Sequence, residues 1–273
     1  MDGIIAICSQ KGGVGKTTLA LNLGLALAEL GVPATVVELD PQGCLADSLT
    51  GESDLRAGLM AYLEGRSGGT LPLVPTRVQG LTLLPAGEIP PENELDFEDL
   101  VSEDERFAAV LAACGEAGSR LVLLDCPSGF GTIVQAALRQ ASGVLIPVQA
   151  EPLALRGLGR FLSGIESVRT ETNPALTLLG LVVMMLDKGS DTSLSVLTSA
   201  WGAFDPAVVC ETVIPRRDEF LRASLLGVPV AFLGRRTHPE ARRFQALALE
   251  VLERLEWGAK EEDEDADAIR TLV

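Results

Sequence analysis

Apolar positions along the chain fall into two alternating patterns. Short, mostly apolar runs occupy residues 4–8, 32–40, 78–87, 121–125, 143–149 and 177–185, and a further one leads into residues 210–217. Between them apolar residues recur every three or four positions, as in Leu19, Leu23 and Leu27, or Phe107, Val110 and Leu111. Runs without polar alternation suit strands buried on both faces, and the three-to-four spacing suits helices packed on a sheet. The pattern predicts eight apolar strands alternating with helices: α/β, a single doubly wound, mostly parallel sheet flanked by helices. Less regular stretches predict helix at 45–49, 55–63 and 106–114, an acidic, at first Pro-containing surface excursion at 88–105 that enters the last of these helices, and a closing amphipathic helix at 240–255. One domain is expected over residues 1–258, followed by an acidic tail at 259–273.

Composition narrows this picture. A hydrophobic content of 47% in 273 residues supplies an ample core, and the 4% aromatic content makes it mostly aliphatic. No apolar run approaches the roughly 18 residues of a membrane span. The first residues carry no basic region followed by an apolar stretch, so a reduced, cytoplasmic protein is expected. The five cysteines show no metal-like pairing, and Cys8 and Cys126 read as small buried thiols. The net charge of −16 argues against a uniformly basic nucleic-acid binder. Between residues 211 and 245, however, seven arginines face four acids, a local charge of +3.

The first strand, a turn and the first helix carry the chemistry. The turn is Lys11-Gly12-Gly13-Val14-Gly15-Lys16-Thr17-Thr18. Glycines let a backbone fold around an anion with several N–H groups pointing inward. The N-terminus of the following helix adds partial positive charge. Lys16 is placed to neutralise the β- and γ-phosphates of a nucleoside triphosphate, and the Thr17 hydroxyl to ligate Mg²⁺. The four aliphatics before Asp125 form the strand that ends in the second Mg²⁺-associated acid of such sites.

The loop departs from the strict phosphate-loop pattern, because the first glycine position is Gln10, and it adds Lys11. It resembles the deviant loop of the ParA/MinD group of NTPases. Further segments match from residue 3 to about 256. Asp40-Pro41-Gln42-Gly43 resembles the group's first switch, with Glu38 where aspartate is usual. Residues 126–131 resemble the second switch loosely, residues 144–158 match closely, and residues 211–217 match E-T-V-I-P-R-N with Arg217 in place of asparagine. Asp191 stands where relatives carry an arginine, with Lys188 close by.

The resemblance implies ATP and Mg²⁺ as cofactors and slow, Mg²⁺-dependent ATP hydrolysis. Lys11, Lys16, Asp40 and Asp125 are the implied catalytic residues: Asp40 orients the attacking water, and Lys11 reaches a partner's phosphates. Lys11, Gly12, Gly13, Val14, Gly15, Lys16, Thr17 and Thr18 would hold the nucleotide, with Pro215 and Arg217 at the base. Thr17, Asp40 and Asp125 would serve the metal. The implied partners are a second copy joined over ATP, a ParB-like activator and non-specific duplex DNA, with a nucleoid-associated location in the cytoplasm. Arg216, Arg222, Arg235, Arg236, Arg242 and Arg243 are the candidate DNA contacts, and no aromatic residues interleave them for single-strand stacking. Alternatives are a relative positioning a protein cargo, a MinD-like membrane-associated ATPase, and a small-molecule synthetase of the same superfamily. The acidic end opposes the membrane reading, which needs a basic amphipathic helix. The synthetase reading lacks an extra acid/base cluster, since the lone His238 lies among the arginines.

Overall fold

A computed structural model describes residues 1–43, 45, 58–205, 208–234 and 238–258. In chain order the elements are β1 (Gly3–Ser9), α1 (Lys16–Glu29), β2 (Ala34–Glu38), α2 (Leu59–Leu63), β3 (Val74–Pro75) and β4 (Leu81–Leu84). Then come α3 (Glu94–Ser102), α4 (Asp104–Glu116), β5 (Leu121–Ser128), α5 (Thr132–Gln140), β6 (Gly143–Gln149) and α6 (Pro152–Glu171). The chain continues through β7 (Thr177–Met184), α7 (Asp191–Ala203), α8 (Asp218–Leu225) and α9 (Ala241–Gly258).

The strands form one sheet in the order β3-β4-β2-β5-β1-β6-β7. All neighbours are parallel except the short edge pair β3–β4. Successive side chains of a strand point to opposite faces. In β1, Ala6 and Cys8 join the core under α3–α6, whereas Ile5 and Ile7 join the core under α1 and α9. The same division separates Leu124 and Cys126 from Leu121 and Leu123 in β5. Covering both faces is what makes these strands continuously apolar.

The doubly wound parallel sheet is therefore as expected, but it contains seven strands among the described residues, one of them only two residues long. The chain at 208–216 meets β7 and the residues just after it through isolated bridges, Leu181 with Val209 and Leu186 with Pro215, and is not the strand expected there. The cause lies in α9. The Glu250 carboxylate accepts the N–H groups of Glu211 (2.8 Å) and Thr212 (3.2 Å), which a continuous ladder would otherwise use. The acidic stretch at 88–105 leads into a helix, α4, as expected, but is already helical before it. It forms α3, which turns Phe97 and Val101 into the core while Asp96 and Asp99 are exposed. The strand expected to end at Asp125 continues to Ser128, which pairs with Ser9. The expected helix at 45–49 lies, apart from Leu45, outside the described residues, as do the first part of the 55–63 helix and the acidic tail at 259–273.

Candidate functional site

The carboxyl ends of β1, β2 and β5 meet at one edge of the sheet, where the order of connections reverses, the place at which open α/β sheets bind ligands. From β1 the chain enters the glycine turn. Ser9 Oγ donates to the Lys11 carbonyl (2.8 Å), fixing the start of the loop. Gly13 and Gly15 adopt φ of 73° and 95°, left-handed values that L side chains resist. Gly15 also lies close to the Met184 side chain, 3.1 Å from where a Cβ would stand. The α1 helix then starts at Lys16 with no side-chain cap and no acid in its first turn. Its leading N–H groups thus remain available to an anion. Val14 is buried and anchors the loop, Lys16 is 8% exposed, and Lys11 is half-exposed at the rim.

Asp125 sits between the loop and β2, in register with Ile7 on one side and Glu38 on the other. It is 1% exposed, and neither carboxylate oxygen has a hydrogen-bond partner. Burial pushes its pKa up to about 7. The Thr17 hydroxyl opposes the rise although it does not reach hydrogen-bonding geometry. The charges of Glu38 and Asp40 add to the rise, and Lys16 works against it. Lys16, Thr17, Glu38, Asp40 and Asp125 therefore form one electrostatic group. Asp40 is half-exposed, and its Oδ1 accepts the Gln42 N–H (3.0 Å). An orphaned buried carboxylate beside an uncapped helix start fits a hydrated cation held chiefly by phosphate oxygens.

Pro215 and Arg217 line a cavity of about 280 Å³ against the loop, with Gly15, Thr18, Met185 and Phe220. The exposed Arg217 lies 3.7 Å from Glu240, which also pairs with Arg243 at 2.8 Å. Of the candidate DNA contacts, Arg222 and Arg242 are exposed, and Arg216 lies 3.6 Å from Glu151. Arg242 and Arg243 line a separate groove with the exposed Lys188. Arg235 and Arg236 lie outside the described residues. Asp191 opens α7, where an acid suits the positive end of a helix.

Three residues beside the site were given no role from the sequence. Glu38 is buried and bonded to two backbone N–H groups. Glu240 is shared by Arg217 and Arg243. Asn22 of α1 accepts the Val230 N–H (2.9 Å), tying the segment after α8 to the helix that follows the loop. Only Glu38 carried a signal, an acid at the end of a buried run two residues before Asp40.

Residues 2–178 match the family described as "AAA domain". Among solved structures, the chain resembles a Mycobacterium smegmatis cobyrinic acid a,c-diamide synthase with bound ADP and magnesium, at 30% identity and a TM-score of 0.73 over 96% of this chain and 98% of that one. The Pyrococcus furiosus cell division ATPase MinD shares the fold at 22% identity, with a TM-score of 0.71 over 93% of this chain and 99% of that one. Sheet order, glycine loop and Asp125 define a P-loop NTPase. The chain is 37% identical over 256 residues to the chromosome-partitioning ATPase Soj of Thermus thermophilus, covering 92% of this chain and 96% of that protein. It is 34% identical over 229 residues to the chromosome partitioning protein ParA of Caulobacter vibrioides, covering 83% and 85%. This chain belongs to the ParA/Soj family of ATPases.

Proposed function

We propose that the chain is a Mg²⁺-dependent ATP switch that pairs with a second copy over ATP and, as a dimer, holds duplex DNA without sequence preference. A ParB-like partner would trigger hydrolysis and so move a chromosome or plasmid. The observation that carries the nucleotide reading is the buried Asp125 carboxylate, without a hydrogen-bond partner, beside the buried Lys16 and the uncapped start of α1.

Lys16 and the loop N–H groups of residues 12–18 hold the triphosphate, while Pro215 and Arg217 border the space for the base. Thr17, with Asp125 and Asp40 acting on the water shell, would hold Mg²⁺, which when bound neutralises charge on the phosphate oxygens. Asp40 orients water towards the γ-phosphate. Lys11, half-exposed, serves the phosphates of a second copy. Phosphoryl transfer needs mainly positioned charge and an oriented nucleophile, so this set suffices for a slow hydrolase.

Arg216, Arg222, Arg242 and Arg243, together with Arg235 and Arg236, supply the DNA contacts. Among the described residues no helix is long and apolar enough to cross a membrane. Cytoplasmic, nucleoid-associated action belongs to this reading.

The test is ATP binding with Mg²⁺ by titration, followed by molar mass in solution with hydrolysis blocked by Asp40→Ala. Binding with dimerisation, lost in Lys16→Ala and reduced to binding alone in Lys11→Ala, is the expected result. A chain that binds ATP yet stays monomeric when hydrolysis is blocked would overturn the switch.

A further inference from the structure

The segment after β2 presents Asp40, and its course is set by a residue two positions earlier. At its entry the Leu39 N–H donates to the Asp125 carbonyl (2.9 Å). Asp40 then closes a turn on itself: its Oδ1 accepts the Gln42 N–H, and its carbonyl accepts the Gly43 N–H (2.9 Å). At the exit the Leu45 N–H donates to Glu38 Oε1 (2.7 Å). Glu38 Oε2 accepts the Ala86 N–H (2.9 Å), in the chain beyond β4. Glu38 is 2% exposed. One buried carboxylate thus ties the far end of the turn to the neighbouring strand of the sheet.

The turn wraps directly over this group. A Cβ built on Gly43 would stand 2.2 Å from the Glu38 carboxyl carbon, so position 43 admits no side chain while the turn keeps its course. A buried N–H that loses its acceptor keeps the full penalty of desolvation. Glutamine in place of Glu38 would turn an NH₂ group towards one of the two N–H donors. Aspartate would keep both oxygens but shorten the reach by one methylene. A buried carboxylate bridging two chain segments is therefore specific in charge, in acceptor number and in length.

We propose that Glu38 is a positioning residue for hydrolysis: its carboxylate, holding Leu45 beyond the turn at 40–43, braces that turn so that Asp40 is presented to the γ-phosphate. The inference rests on the reading of Asp40 as the residue that orients water. Glu38 is buried and its two oxygens accept backbone N–H groups, so it is expected to act on the rate at saturating ATP and not on nucleotide affinity.

Four variants of the full chain, Glu38→Gln, Glu38→Asp, Gly43→Ala and Asp40→Asn, are compared for ATP affinity and for single-turnover hydrolysis with Mg²⁺. Glu38→Gln is expected to slow hydrolysis about tenfold or more while ATP affinity changes less than about threefold. Glu38→Asp falls between it and the parent. Gly43→Ala displaces the turn from its other side with the carboxylate intact and reproduces the slow phenotype, which decides the matter if Glu38→Gln unfolds. Parent-like hydrolysis in Gly43→Ala and in a folded Glu38→Gln, with Asp40→Asn inactive, overturns the brace and spares the Asp40 reading. Parent-like hydrolysis in Asp40→Asn overturns both. Loss of affinity in step with loss of rate in Gly43→Ala would make the brace part of nucleotide binding and overturn the inference as well.

Discussion

Asp125 shows how one buried group couples folding to ligand chemistry. Its pKa of about 7 lies above the ordinary carboxylate value of 3.8, because burial disfavours the charged form. The folded, metal-free chain therefore binds a proton that the unfolded chain has released between about pH 4 and pH 7. The stabilisation is present below that window and is lost as pH rises through it, on the order of 4 kcal/mol for a shift of this size. In urea unfolding with a chelator present, the parent should lose stability between about pH 4 and pH 7, whereas Asp125→Asn should show a flatter dependence. Equal slopes would remove Asp125 as the source. The glycine turn before α1 and the buried strand carrying Asp125 were legible in the sequence, because both are local patterns. The absence of a hydrogen-bond partner for Asp125 was not, since it depends on which strands lie beside β5.

Helices α3 and α9 carry the clearest departures from the sequence pattern. α3 reads as acidic surface, yet Phe97 is fully buried against the sheet. Phe97→Ala should destabilise the fold by about 3–5 kcal/mol in denaturant titration, and a loss below about 1 kcal/mol would place this helix outside the core. In α9, Glu250 accepts the N–H groups of Glu211 and Thr212 and pairs with Arg254 at 2.8 Å. Glu250→Ala leaves these groups without their acceptor, at about 1–3 kcal/mol. The segment it holds leads to Pro215 and Arg217, so ATP affinity should also weaken several-fold although Glu250 is remote from the phosphate loop. Unchanged affinity in a destabilised variant would confine Glu250 to folding. The strands at 143–149 and 177–184 were legible almost to the residue, because burial on both faces leaves an uninterrupted apolar run. The diversion at 211–213 was not, because a carboxylate about 40 residues further along the chain causes it.

At the scale of the whole molecule, a net charge of −16 opposes the proposed hold on DNA, so retention must come from a local surface. With about six phosphates neutralised per dimer, the logarithm of DNA affinity should fall against the logarithm of salt with a slope of about −5. Arg222→Glu combined with Arg242→Glu, both exposed, should weaken ATP-dependent DNA retention and flatten that slope by about one for each phosphate no longer neutralised. An unchanged slope would exclude these two arginines. The order of apolar runs and helical spacings by itself determined the doubly wound parallel sheet, and the glycine pattern determined the turn between β1 and α1, because both depend on residues near one another in the chain. Only the tertiary structure decided that residues 208–216 stay outside the sheet, that Asp125 is stranded beside Glu38, and that the turn carrying Asp40 is tied to the chain beyond β4. Each of these depends on hydrogen bonds and burial between segments tens of residues apart, which no local period records.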